Sequence, residues 1–170
     1  DDIAAELFKT EIANLNLYGY GIKAFMLSLV ECAIRLTDGA VRAHVISKIL
    51  GIGKGMLQRP IELLDDVKRV LEELAPRYRL IVATKGDLLD QEGKMKRSGI
   101  ASYFHHIEVM SDKKEQAYIE LLHHLDIEPC DFLMIGNSMK SDIIPPLKLG
   151  AWAIHVPFHT TWAHEEVEED

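Results

Sequence analysis

The first 55 residues carry a hydrophobic pattern that is typical of α-helices. Apolar residues recur every three or four positions, first over Ile3–Ile12 and again over Phe25–Val30, and this spacing places them on one face of a helix. Glycine-containing stretches near residues 18–21 and 37–39 interrupt the pattern, because glycine relaxes the backbone at such points. The region is therefore predicted to be an all-helical module.

After Pro60 the pattern changes to short apolar runs that alternate with amphipathic segments. Runs of this length predict buried strands, and the segments between them predict helices. Strands separated by helices pair in parallel, with helices on both faces of the sheet. The prediction is a doubly wound, Rossmann-like parallel α/β sheet. Strands are predicted at 78–83, 106–110, 132–135 and 151–156, and helices at 61–74, 88–98, 114–125 and 139–149.

Polar residues follow each apolar run, where ligands of an open parallel sheet collect. The first run is followed by Thr84, Lys85, Gly86 and Asp87. They supply a hydroxyl and flexible backbone amides beside a helix start, a combination that suits an anion. The same residues also serve ordinary turns and caps. Lys113 and Lys114 follow the second run, and nothing in their local sequence distinguishes them.

The third run ends in the segment 136–142 (GNSMKSD), which gives the strongest local signal. Asn137 and Asp142 bring two oxygen-bearing side chains to one strand end, and oxygen ligands suit Mg²⁺. The alternative is a helix start that is capped by Asn137 or Ser138, with Asp142 in its first turn. Both interpretations stay open on the local sequence.

Composition and charge exclude several classes of protein. The 170 residues carry 19 basic and 27 acidic side chains, for a formal charge of -8, which repels a nucleic-acid backbone. No apolar run reaches the roughly 18 residues of a membrane span. Two widely spaced cysteines give no disulfide framework and indicate a cytoplasmic protein. The acidic tail at 164–170 is predicted to be solvated surface, and nothing indicates an oligomeric state.

Together, Thr84, Lys113 and the segment 136–142, each after a strand, resemble three successive motifs of the haloacid dehalogenase-like (HAD) hydrolase superfamily. The resemblance implies that Thr84 binds the transferring phosphoryl group, with Lys85 and Gly86 beside it. It implies that Lys113, in preference to Lys114, neutralises charge on the nucleophile and phosphate. Asn137 and Asp142 would hold the Mg²⁺ of a phosphatase that acts on a small phosphorylated metabolite through an aspartyl-phosphate.

The resemblance also implies a domain division, with a helical cap at 1–58 and a HAD-like core at 59–170. The segment 51–55 (GIGKG) lacks the spacing of a phosphate loop and is interpreted as a hinge where the cap rejoins the core. Tyr18 and Tyr20 are candidate substrate contacts from the cap, although packing within the cap would also explain them.

Two departures from the family pattern shape the prediction. The opening strand with its Asp-x-Asp nucleophile motif is not found, so we expect it upstream and expect the 170 residues alone to be inactive. Asn137 stands where phosphatases of the family commonly have aspartate, which keeps a metal-free 2-haloacid dehalogenase mechanism open. A non-catalytic HAD-fold binding protein is the third alternative, and a receiver-type or nucleotide-binding domain explains the motifs least well.

Overall fold

A computed structural model describes residues 2–158, beginning with three long helices. Helix α1 spans Ile3–Tyr18, α2 spans Ile22–Leu36 and α3 spans Ala43–Gln58. The carboxylate of Asp2 accepts the amide hydrogen of Ala4 at 3.0 Å and caps α1. The predicted all-helical module and its two breaks are confirmed. The tail at 164–170 lies outside the described residues.

The hinge prediction for the segment 51–55 is wrong, because all five residues lie inside α3. Gly53 is buried where α3 packs on α2. A Cβ atom placed on Gly53 would lie 2.6 Å from Cγ of Met26, so only glycine lets the two helices approach this closely. Gly51 and Gly55 would meet no atom within 4 Å. Gly53 therefore allows one close contact between α2 and α3, and the glycines do not form a flexible joint.

Two strands and two more helices follow. Helix α4 spans Val67–Leu74, β1 spans Ile81–Lys85, α5 spans Leu88–Ser98 and β2 spans His106–Met110, and β1 pairs with β2. The predicted start of α4 at Ile61 is wrong. Asp66 has a left-handed backbone with φ of 64°, which a right-handed helix cannot include.

The second pair of strands follows α6 (Glu115–Leu125). Strand β3 spans Leu133–Gly136 and pairs in parallel with β4 (Trp152–His155), with Leu133 opposite Trp152 and Gly136 opposite His155. The predicted α/β fold with parallel strands is confirmed, and the described strands form two separate two-stranded sheets.

The helix predicted at 139–149 is two different elements. Residues Met139–Ile143 form a π-helical turn, and α7 spans only Ile144–Lys148. Pro145 and Pro146 explain the change, because neither has an amide hydrogen to bond a carbonyl one turn earlier. The backbone around Ser141 therefore cannot continue a regular α-helical ladder.

The chain divides into two compact units, Asp1–Val109 and Met110–Asp170. Each unit has its own buried apolar residues. They are Ala24, Met26, Cys32, Ile49 and Ile100 in the first unit, and Tyr118, Leu121, Leu122, Phe132, Met134, Ile143 and Ala151 among those of the second. Helix α3 ends at the predicted boundary of the cap, and the division into cap and core stays a prediction. No helix within residues 2–158 is both long and apolar enough to cross a membrane.

Candidate active site

Lys113 and Asp142 form a buried ion pair in the second unit. The Nζ atom of Lys113 lies 2.7 Å from Oδ1 of Asp142, and the two side chains are only 9% and 7% exposed. The neighbouring Lys114 is different, because its side chain is 81% exposed and pairs with Asp112. The structure therefore distinguishes the two lysines that the local sequence left equivalent.

The carboxylate of Asp142 is held on its other side by the backbone after β3. Its Oδ2 atom accepts the amide hydrogen of Ser138 at 3.1 Å. The same carboxylate lies against Gly136, where any added Cβ atom would overlap with it. Ser138 also caps the turn, since its hydroxyl accepts the amide hydrogen of Ser141 at 3.0 Å. Ser138 therefore caps the turn while the carboxylate of Asp142 is held beside the end of β3, so the two interpretations of this segment are compatible.

Tyr118 on α6 stabilises the backbone that carries Asp142. Its hydroxyl donates to the carbonyl of Ser141 at 2.8 Å, and its side chain is fully buried. The carbonyl of Ser141 would ordinarily accept from the amide of residue 145 or 146, and both are prolines. Tyr118 replaces that missing donor. Burial, and secondarily the charge of Asp142, raise the pKa of Tyr118, so the phenol stays protonated and donates.

Asn137 lies exposed directly after β3, and its backbone carbonyl is 3.0 Å from Nε2 of His155. Asn137 and Asp142 fit Mg²⁺ in kind, since an amide and a carboxylate oxygen are the donors that this ion prefers. These are only two protein ligands. Within residues 2–158, no group of three or more His, Cys, Asp or Glu side chains is arranged to hold a metal ion. Further ligands would have to be water or substrate oxygens.

Of the residues predicted to bind an anion, Thr84 and Lys85 are the last two residues of β1 in the first unit, and Gly86 follows the strand. Gly86 has φ of 125°, a backbone conformation that favours glycine. The hydroxyl of Thr84 lies 3.3 Å from Oε1 of Gln91 and 3.2 Å from the carbonyl of Lys85. Asp87 caps α5 by accepting the amide hydrogen of Asp90 at 3.0 Å. The sequence analysis did not identify Gln91 as a partner of Thr84, although Gln91 lies in α5, which follows the turn.

The two candidate tyrosines have different surroundings. The hydroxyl of Tyr18 donates to Glu31 at 2.7 Å; that hydrogen bond, followed by the charge of Glu31, raises the pKa of Tyr18. Tyr20 instead contacts the last residue of β1, with Nζ of Lys85 4.1 Å from the centre of its ring. The structure thus brings Tyr20 together with Lys85, and Lys113 together with Asp142.

The chain matches the family model of the haloacid dehalogenase-like hydrolases over residues 4–149. It belongs to that family. The predicted family and its α/β fold are confirmed.

Similar proteins of known structure support the same family. A haloacid dehalogenase-like family hydrolase from Xanthomonas campestris is 39% identical, with a TM-score of 0.88 over 92% of this chain and 67% of that chain. A 2-haloacid dehalogenase from Pseudomonas syringae has a TM-score of 0.65 over 94% of this chain and 71% of that chain. Its identity is 17%, so it shows the shared fold alone.

A relative of known activity is N-acylneuraminate-9-phosphatase of Rattus norvegicus. It is 33% identical over 126 residues, which are 71% of this chain and 51% of that protein. The human protein of the same name is 28% identical over equal shares. The chain thus spans about half the length of these curated relatives.

Proposed function

We propose that this HAD-like chain carries phosphate-binding and metal-binding residues of a phosphatase that acts on a small phosphorylated metabolite. The buried pair of Lys113 and Asp142 is the observation that carries the proposal. An ion pair that is removed from water is costly to build, and its position after β2 and β3 matches the strand ends at which this fold class binds ligands. The 33% identical phosphatase supports phosphoester chemistry.

Each proposed binding group has a physical task. The Thr84 hydroxyl and the Gly86 amide would donate to phosphoryl oxygens, and Lys85 would add positive charge. The Lys113 ammonium is fixed by Asp142, so little reorganisation would be needed when negative charge develops on the substrate. Such prearranged donors lower the energy of a charged transition state.

Asn137 and Asp142 would hold Mg²⁺, whose charge would stabilise the phosphoryl group. Lys113 already neutralises one oxygen of Asp142, and Asn137 has no charge. The two residues therefore offer a weak site, and we expect Mg²⁺ affinity to depend on bound substrate. The proposal places the attacking aspartate at none of the 170 residues.

The net charge and the cysteines support a class of substrate and a location for the protein. A net charge of -8 disfavours nucleic acid, so the proposed substrate is a small phosphorylated molecule. Cys32 and Cys130 are both free thiols, which supports a reducing cytoplasm as the location.

The second candidate is a 2-haloacid dehalogenase, and the neutral Asn137 favours it because a metal-free site needs no carboxylate there. A screen of the protein made from its complete coding sequence separates the two. The proposal expects turnover of small phosphoesters that EDTA abolishes and Mg²⁺ restores. Turnover of 2-haloacids that survives EDTA, without phosphoester turnover, would replace it. Activity on neither class would favour a binding protein.

A further inference from the structure

The loop between α1 and α2 lies against the turn that follows β1. Gly21 is the closest point, because a Cβ atom there would lie 3.4 Å from the amide nitrogen of Asp87 and 3.6 Å from Cα of Gly86. Gly21 has φ of 111°, which favours glycine for a second reason. The two backbones are thus so close that one added methyl group on Gly21 would touch the turn to which we assign phosphate binding.

Two side-chain contacts flank this backbone contact. On one side, Nζ of Lys85 lies over the ring of Tyr20 at 4.1 Å, a cation–π geometry. On the other side, Nζ of Lys23 lies 2.8 Å from Oδ1 of Asp87. The lysine of the first contact ends β1, and the lysine of the second contact lies at the start of α2. Each side of the interface therefore contributes one positive charge.

Both contacts are individually weak. The side chains of Lys23 and Asp87 are 50% and 33% exposed, and exposed ion pairs change an equilibrium by at most about fivefold. Tyr20 and Lys85 are both half-buried, and a cation–π contact there changes an equilibrium by about fivefold. Together they favour a docked loop by roughly tenfold, which leaves the contact reversible.

We propose that Tyr20 and Lys23 are positioning residues that dock the α1–α2 loop onto residues 84–87, which are the end of β1 and the turn that follows it. Docking fixes Lys85 through the Tyr20 ring and covers Gly86 from the helical side. The importance of this contact for substrate rests on the proposed function, whereas the docking itself does not. Salt weakens it, since the Lys23–Asp87 pair is exposed to screening.

The test measures a distance and needs no turnover. Spin labels are placed at Leu17→Cys on α1 and Leu89→Cys on α5, two side chains that are 79% and 69% exposed. A Cys130→Ser change removes the exposed thiol, and Cys32 is only 1% exposed. Double electron–electron resonance, applied to the protein made from its complete coding sequence, should give one dominant distance between the two spin labels.

The variants separate the two contacts. Lys23→Met and Asp87→Asn should each raise the undocked population by about two- to fivefold, and the double variant should add little to either. Asparagine keeps the cap of α5. Tyr20→Phe should leave the distance distribution unchanged, whereas Tyr20→Leu should broaden it. Raising salt to about 1 M should raise the undocked population of the parent protein by about two- to fivefold and have little effect on Asp87→Asn.

Unchanged distances in Tyr20→Leu combined with Lys23→Met would overturn the inference. So would additive effects of Lys23→Met and Asp87→Asn, because coupled partners do not add. A protein that hydrolyses no phosphoester but shows the expected distances would refute the proposed function and keep the docking contact.

Discussion

The Nζ atom of Lys113 and the Oδ1 atom of Asp142 are 2.7 Å apart, although the two residues are 29 positions apart in sequence. Lys113 follows β2 and Asp142 lies in the turn after β3. The pair therefore links the segment that opens α6 to the turn after β3 within the second unit. Ser138 and Gly136 hold the carboxylate from its other side, so the orientation of Lys113 depends on the segment 136–142.

Breaking one side of this pair should destabilise the protein strongly. Asp142→Asn leaves the Lys113 ammonium buried without its counter-charge, and such losses cost about 3–5 kcal/mol. Lys113→Met should cost a similar amount. The double variant should cost clearly less than the sum, because neither charge remains unpaired. Urea unfolding of the four proteins measures this coupling, and additive effects would show that the pair is not coupled.

Removal of the Tyr118 hydroxyl should also destabilise the protein. Tyr118→Phe removes the buried hydrogen bond that the hydroxyl of Tyr118 donates to the carbonyl of Ser141. Loss of such a hydrogen bond costs about 0.5–1.5 kcal/mol. Tyr103→Phe is the matched control, because its hydroxyl bonds Glu72 in an exposed position and should change stability by less than about 0.5 kcal/mol. Equal effects of the two substitutions in thermal unfolding would contradict the assignment.

The glycines of α3 should respond oppositely to alanine. Gly51→Ala meets no neighbouring atom and should stabilise the helix by about 0.5–1 kcal/mol. Gly53→Ala gains the same helix propensity but forces Met26 away, and overpacking typically costs about 1–3 kcal/mol. Its net effect should be destabilising. Denaturant midpoints of the two variants decide the matter, and a stabilised Gly53→Ala variant would show that α2 and α3 adjust freely.

The pKa of Asp87 should report the loop contact. The hydrogen bond from Lys23, then the backbone hydrogen bond from Asp90, hold the pKa of Asp87 below its ordinary value of 3.8. A lowered pKa means that the charged contact contributes above the ordinary value and is lost as pH falls through the lowered one. NMR titration should show a higher pKa for Asp87 in Lys23→Met. Lys9→Met removes an exposed lysine that pairs with Glu6 and should leave it unchanged.

Strand-end residues were the predictable part of this molecule. The apolar runs located the end of each described strand to within two residues. The residues at or shortly after these ends include Thr84, Lys113 and the segment 136–142. Periodicity also located the first two helices, whereas residues 51–55 of α3 were interpreted as a hinge. The prolines at 145 and 146 were a readable signal against a continuous last helix, because proline cannot donate a helical hydrogen bond.

The remaining features depend on tertiary contacts that neighbouring sequence does not encode. Lys113 and Lys114 are adjacent and identical in type, and only packing buries one of them. Gly53 differs from Gly51 only in facing Met26. The contact between Tyr20 and Lys85 joins residues 65 positions apart, and no local pattern links them.

The two adjacent lysines provide the most direct test of the proposed function. In the protein from its complete coding sequence, kcat/KM for an active phosphoester is compared between Lys113→Ala and Lys114→Ala, with folding checked by circular dichroism. We predict a loss of at least about 100-fold for Lys113→Ala, the scale expected for a prearranged charged donor, and of less than about threefold for Lys114→Ala. Full activity in a folded Lys113→Ala variant would contradict it.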